Sequence, residues 1–321
     1  MADALKYGNA GERELTLAAA AAAGEIYQMP DGFAGVLAGA AAPVAGDKRT
    51  FEDGCDIYTL TKSTGHVILD GDEAWWDHSA NAIISKPAEP GDRDFCAGTI
   101  HGGDAASGDT TCKVALNRKA RHIITLQGHG FRHVPVLTAG TPELKMVGGS
   151  ARAAFSATAE AQKLDLLSHR SFAIGSNWIL DAIVEVVTDC DADVGDLNIG
   201  VASGTHASDA NSIAESCFVH LDLGADNDID AESDDGTNEV AATDTTINWA
   251  DDTPFRLVID GRDPSDIQIY INGALVLSGT TFNISDGSGP LRARFHLEKS
   301  SNDSPGVVLL HELNVRLMEQ D

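Results

Sequence analysis

Basic residues are scarce in this sequence. Lys and Arg number 22 against 49 Asp and Glu, a formal net charge of -27. A chain so acidic repels phosphate backbones, which argues against general nucleic-acid binding. Long apolar runs are missing as well. No stretch of about 18 apolar residues occurs, so no membrane span is expected. The opening MADALKYGNAGERE has no basic segment followed by an apolar one, so no signal peptide is expected. Cysteine is rare: Cys55, Cys96, Cys112, Cys190 and Cys217 are five in number and widely scattered. That pattern argues against a disulfide framework and a CxxC zinc site. It reads as isolated reduced thiols acting as small hydrophobes, which suits a protein made in a reducing cytoplasm.

What is present points to an ordered chain. A hydrophobic content of 43% is near the globular norm. A length of 321 residues favours two domains over one. The charge is unevenly spread. Between Asp181 and Asp260 there are 20 Asp or Glu and one basic residue, Arg256. Between Thr110 and Pro142 there is no acid, but Lys113, Arg118, Lys119, Arg121 and Arg132 are present. Neighbouring regions of opposite sign imply different partners.

The local patterns are those of strands. Short apolar runs such as GFAGVLAG, CDIYTLT, HVILDG, FCAGTIHGG and CKVALN are strand-sized. Asp31-Gly32, Asp53-Gly54 and Asp70-Gly71 supply turns between them. The Ala18–Ala23 run is ambiguous between a short helix and a strand. Residues 118–149 read as a structured connecting segment, because Ile123, Ile124, Leu126, Val134, Val136 and Leu137 lie among its prolines and glycines. A second strand series begins at Ser150. Its sharpest signal is PFRLVIDGRDPSDIQIYINGALVLSG. Ile267, Ile269 and Ile271 alternate with polar positions before Asn272-Gly273, a hairpin signature. The fold class is therefore all-β: a small strand-rich domain over 1–117, the connection 118–149, and a β-sandwich or barrel over 150–321.

Constellations that carry chemistry are thin. A sandwich glucanase needs paired carboxylates on one strand face, commonly Glu-x-Asp-x-Glu. The nearest candidate is Glu232-Ser233-Asp234, with Gly236 and Thr237 where the third carboxylate should be, and ESDDG reads as a solvated turn. His129 and His133, with His122 nearby, could share a helix face, but Gly130 and Pro135 oppose a helix and no HExxH motif accompanies them. Asp226, Asp228 and Asp230 alternate and could hold a structural calcium, though a plain acidic surface fits as well. No nucleophile elbow, P-loop or dinucleotide fingerprint occurs, and no serine or histidine has a telling context. No enzyme activity and no cofactor is expected. Trp75-Trp76 could stack on a sugar, or place one ring in the core and one at an interface.

Two resemblances add to this reading. From Glu25 to Asn117 the chain resembles phage capsid cement, or head decoration, proteins. The motifs that carry this are PDGFAGVLAG, AGDKRTFEDGCDIYTL, GHVILDGDEAWWDHSANAI and FCAGTIHGGDAASGDTTCKVALN. Within them fall Gly71, Trp76 and Asp77, then Gly98-Thr99, then Val114, Leu116 and Asn117. The resemblance implies a small β domain, barrel-like, on the outer capsid surface. It implies a homotrimer in contact with the major capsid protein. From Ser150 to Gln320 the chain resembles concanavalin A-like lectin/glucanase jelly rolls found on phage virion proteins. FRLVIDGRDPSDIQIYINGALVL, TTFNIS, GPLRARFHLEKSS and HELNVRLME carry it, including His296, Leu297, Glu298 and Lys299. Members of that group bind glycans, catalyse, or fill space.

The expected function is thus a tailed-phage capsid decoration protein that stabilises the shell and displays a lectin-like domain. The alternative is a virion-attached carbohydrate-binding module. Trp75, Trp76, Lys113, Arg118, Lys119 and Arg121 are the candidate capsid or trimer contacts. The expected location is the outer surface of the virion, with the acidic jelly roll facing solvent.

Overall fold

The computed structural model describes residues 12–16, 26–29, 32–37, 44–46, 48–52, 54, 56–122, 131–134, 142–155, 159–188, 195–204, 210, 212–223, 227–300 and 306–318. Every regular element among them is a strand. Among the described residues no helix is long and apolar enough to cross a membrane. The Ala18–Ala23 run lies outside the described residues. The chain divides into two compact units. One comprises Met1–Arg121 and Asn272–Ala274, and the other comprises His122–Ile271 and Leu275–Asp321.

Among its described residues the first unit holds nine strands. β1 (Glu12–Thr16), β2 (Ile26–Gln28), β3 (Ala34–Leu37) and β4 (Lys48–Glu52) form a sheet in the order β1-β4-β3-β2. β5 (Ile57–Thr61), β6 (Glu73–Asp77), β7 (Ala82–Ser85), β8 (Phe95–Ile100) and β9 (Thr111–Leu116) form a second, in the order β5-β9-β8-β6-β7. The edges of that sheet meet. Lys62, just past β5, makes a parallel bridge to Ile83 of β7, and the Ser63 amide donates to the Ile83 carbonyl at 2.9 Å. The two edges are thus drawn together at one end, in a small, barrel-like curl. HVILDG does not form a strand; Ile68 makes a single bridge to Ala105.

Alternation decides what enters this core. In β6 the pattern of EAWWD buries Ala74 and Trp76 and leaves Trp75 part-exposed. Trp76, Tyr58, Leu60, Ile83, Phe95, Val114 and Leu116 pack with Ile26, Ala34 and Val36 of the smaller sheet. Asn117, at φ 59°, ties the two sheets together: its side chain takes the Ala34 amide at 2.7 Å and gives to the Ala34 carbonyl at 3.0 Å. Buried Lys62 satisfies itself with backbone, donating to the carbonyls of Ala106 at 2.9 Å and Ser63 at 3.0 Å. Cys96, Cys112 and Cys217 are free thiols, and burial pushes Cys96 and Cys112 up to about 12. Cys55 and Cys190 lie outside the described residues.

The second unit is a β-sandwich. Its strands are β10 (Phe131–Val134), β11 (Glu143–Val147), β12 (Ser150–Ala154), β13 (Gln162–Ser168), β14 (Trp178–Thr188), β15 (Gly195–Ala202), β16 (Ser216–Leu223), β17 (Asp228–Asp234), β18 (Glu239–Asn248), β19 (Phe255–Gly261), β20 (Gln268–Ile271), β21 (Ala274–Val276), β22 (Arg292–Lys299) and β23 (Val307–Leu317). Sheet one runs β10-β13-β22-β15-β16-β17-β18, and sheet two runs β11-β12-β23-β14-β19-β20-β21. β22 lies between β13 and β15, and β23 between β12 and β14. Late strands set between early ones give the jelly-roll topology. β10 and β11, from the segment read as a connection, are edge strands of the two sheets.

One continuous core fills the sandwich. Leu164, Leu166, Leu197, Ile199 and Phe295 of sheet one meet Leu180, Val184, Leu257, Leu310 and Leu313 of sheet two. Trp178 is fully buried, and its Nε1 donates to the Ile174 carbonyl at 3.1 Å. The anticipated hairpin is present: Asn272 and Gly273 have φ of 49° and 82°, and Ile267, Ile269 and Ile271 are buried. Gly200 in β15 permits a close strand approach, because a Cβ there would meet the Cys217 carbonyl oxygen at 2.0 Å.

Candidate functional site

The inward positions of sheet one fill the core, so the alternate residues face outward. The strand register sets them in rows. Asp165 on β13 lies opposite His296 on β22, His296 opposite Asn198 on β15, Asn198 opposite His220 on β16, and His220 opposite Asp230 on β17. Asp230 then faces Asp244 on β18. A second row runs Lys163, Glu298, Asp196, Asp222. The outward side of sheet one thus carries rows of polar groups on rigid strands, with Asp165, His296 and Asn198 fully buried and Asp196, Asp222 and Asp230 part-exposed.

The β13–β22 end of this face is a closed ion network. The same oxygen of Asp165 accepts from Arg294 Nε at 2.9 Å, Arg294 Nη2 at 2.6 Å and His296 Nδ1 at 2.7 Å. His296 Nε2 donates to Glu298 at 2.9 Å, and Lys163 pairs with the same carboxylate. Arg294 Nη1 caps the Gly204 carbonyl at 2.6 Å. Carboxylates only accept, so both ring nitrogens of His296 carry protons. Burial opposes that charge, but Asp165 and Glu298 together hold His296 above its ordinary value. Burial likewise opposes ionisation of Asp165, and the bonds from His296 and Arg294 still hold it below the usual carboxylate range. Glu298 is lowered in the same way, with His296 and Lys163 outweighing burial.

The β15–β17 end is different. His220 Nδ1 donates to Asn198 Oδ1 at 3.1 Å, and His220 Nε2 lies 3.7 Å from Asp196. Buried Asn198 keeps an Nδ2 with no hydrogen-bond partner, as Asp165 keeps its second oxygen. Asp228, Asp230, Glu232 and Asp234 alternate along one side of β17. The ESDDG turn expectation is corrected here. Glu232, Ser233 and Asp234 end a strand, and the turn starts at Asp235. The Asp235 carboxylate accepts the amides of Thr237 at 2.9 Å and Asn238 at 2.6 Å. The signal was the alternation Asp-x-Asp-x-Glu-x-Asp, read as two unrelated clusters.

The other candidates are placed as follows. Trp76 is 3% exposed and belongs to the first unit's core, so it is no surface contact. Trp75 is half-buried and donates from Nε1 to Glu73 at 3.1 Å. Lys113 projects from β9, and Arg118, Lys119 and Arg121 follow it; all four are exposed. Asp228 accepts from Asn248 Nδ2 at 2.8 Å, while Asp226 lies outside the described residues. His129 and the side chain of His133 also lie outside them. Among the described residues no group of three or more His, Cys, Asp or Glu is placed to hold a metal.

No protein-family model matches the chain. No curated protein matches it either. Among solved structures, the chain is similar to the carbohydrate recognition domain of Emp46p in its potassium-bound form. The identity there is 12%, the TM-score 0.40, and the match covers 58% of this chain and 88% of that one. It is similar to LamAcat from Zobellia galactanivorans at 9% identity and TM-score 0.43, covering 60% and 96%. It is also similar to the carbohydrate esterase vb_24B_21 from the Shiga toxin-encoding bacteriophage phi24B, at 12% identity and TM-score 0.40, covering 62% and 99%.

Proposed function

We propose that the chain is a carbohydrate-binding surface protein whose sandwich engages neutral glycans on the outward face of sheet one. The observation that carries this reading is the group of part-exposed carboxylates Asp196, Asp222 and Asp230, set on rigid strands around buried His220 and Asn198. Carboxylates accept hydrogen bonds and do not donate, and glycan hydroxyls are donors in fixed geometry. Strand-borne groups lose little freedom when a ligand binds, which favours recognition. The same negative charge repels sulfated or uronate-rich chains. A glycan array followed by calorimetry with the full chain tests this. Binding of a neutral glycan should weaken at least ~10-fold in Asp230→Ala and in His220→Ala, a loss of ~1.4 kcal/mol. No binding by the wild-type chain at millimolar glycan would overturn the reading.

The first unit supplies the attachment in this proposal. Its resemblance to capsid cement proteins and its exposed Lys113, Arg118, Lys119 and Arg121 support docking, as a homotrimer, on the outer surface of a phage capsid built from the major capsid protein. Such a contact would bridge capsomers and bury area that the shell leaves open, and three-fold repetition would add avidity. The reading predicts that charge reversal at Arg118, Lys119 and Arg121 strips the protein from particles. Unchanged occupancy would sink it.

A further inference from the structure

The outward face of sheet two carries a second constellation, on three adjacent strands. Ser150 stands at the start of β12, Glu185 lies in β14, and β23 runs between them with His311. Ser150 Oγ is 2.8 Å from His311 Nδ1, and His311 Nε2 is 2.7 Å from Glu185 Oε2. The histidine is aimed by a bulge. Ile183 pairs with Glu312 and Val184 with Leu310, so His311 is the extra residue between them. Leu310 and Leu313 keep to the core, and the bulge turns both His311 and Glu312 outward. Bulges often re-aim a side chain in this way beside active sites.

We propose that Ser150, His311 and Glu185 form a hydrolytic centre for carboxylic esters with short acyl groups. The three roles follow from donor and acceptor chemistry. Glu185 can only accept, so in the neutral imidazole Nε2 holds the proton and Nδ1 is left with a lone pair toward the Ser150 hydroxyl. That is the tautomer a general base needs, with the carboxylate orienting the ring. Ser150 Oγ attacks the ester carbonyl carbon and its proton passes to Nδ1. The acyl–oxygen bond then breaks, and Nδ1 returns the proton to the leaving alcohol. Water attacks the acyl-serine, gives its proton to Nδ1, and Ser150 recovers that proton as the carboxylic acid departs. One ester and one water yield one acid and one alcohol.

The surroundings fit a substrate that arrives from solvent. The side chains of His311 and Glu185 are 30% and 17% exposed, and Ser150 is half-buried. Ser150 directly follows the turn Gly148-Gly149, with φ of 62° and 98°. Neither turn amide donates to a backbone carbonyl among the described residues, so both are available to a developing oxyanion. Arg152, two residues along β12 on the same face, is held by Glu143 at 2.8 Å. On an open sheet face a long acyl chain finds no slot, which selects short ones.

The test uses the full chain. Wild-type protein should hydrolyse p-nitrophenyl acetate, and a fluorophosphonate probe should label Ser150, as read by peptide mass spectrometry. Ser150→Ala should lower turnover at least ~100-fold and abolish the label. Glu185→Gln, which removes a positioning residue, should lower kcat at least ~10-fold with KM unchanged, and slow labelling in proportion. Absence of labelling in the wild type, labelling at another residue, or full turnover in Ser150→Ala would each overturn the proposal. Labelling of the wild type needs no variant, so a folding defect in a mutant leaves it decisive.

Discussion

His296 and His311 stand on the outward faces of opposite sheets of one sandwich, and each bridges two partners. His296 is fully buried between two carboxylates. It must be charged, and it can hand a proton to neither neighbour without breaking the network. His311 is part-exposed between a hydroxyl and a carboxylate. One side fixes the ring, and the other offers a proton that can move. The number of contacts is equal in the two cases, so what separates a structural histidine from a chemical one is the second partner and access to solvent.

The largest effect should come from breaking the buried side of this comparison. Asp165→Leu leaves Arg294 and His296 inside the sheet without their shared carboxylate, and urea unfolding should show a loss of ~3–5 kcal/mol. A loss below ~1 kcal/mol would mean the network is not holding sheet one. Next is the backbone beneath it. Gly200→Ala drives a Cβ toward the Cys217 carbonyl, where only backbone can give way, and should cost ~1–3 kcal/mol. An unchanged unfolding midpoint would show that β15 and β16 can separate freely.

The pH dependence sharpens the contrast further. His296 is raised on folding, so its contribution is complete below the free-histidine value of about 6.5 and is lost as pH climbs through the higher folded value. Asp165 and Glu298 are lowered, so theirs is complete above the free-carboxylate values near ~4 and is lost as pH falls through the folded ones. Thermal melts across pH should therefore show a plateau between these limits with a fall on both sides, and in His296→Gln the alkaline fall should disappear. The smallest effect belongs to the exposed side. His311→Ala should change stability by less than ~1 kcal/mol, as for a part-exposed pair. A larger loss would make His311 a structural group after all.

Local patterns were legible in the sequence, and long-range ones were not. The hairpin around Asn272-Gly273 could be read directly, because its isoleucines and its positive-φ turn lie within one short stretch. The all-β class followed from many such stretches. The acidic face of β17 was also written in the sequence, but the glycine after Asp235 made its end look like a turn. Ser150, Glu185 and His311 left no local trace. Ser150 and His311 are 161 positions apart, and Glu185 and His311 are 126 apart. Their meeting depends on one bulge that no periodicity announces. Trp75 and Trp76 show the reverse case, where simple alternation was enough to place one ring inside.

The position of β22 and β23 has a consequence for how the sandwich is made. Each lies inside its sheet, flanked by strands that precede it by about ninety residues or more. Until those two segments leave the ribosome, β13 and β15 have a gap between them, as do β12 and β14. The nascent chain must carry two half-sheets with open edges through most of its synthesis, a state prone to wrong pairing. Closure of both gaps waits for these last strands, and it is slow because most contacts in the chain are distant in sequence. The dense acidic stretch between Asp181 and Asp260 is made before that step, so like charge keeps unfinished chains apart while they wait.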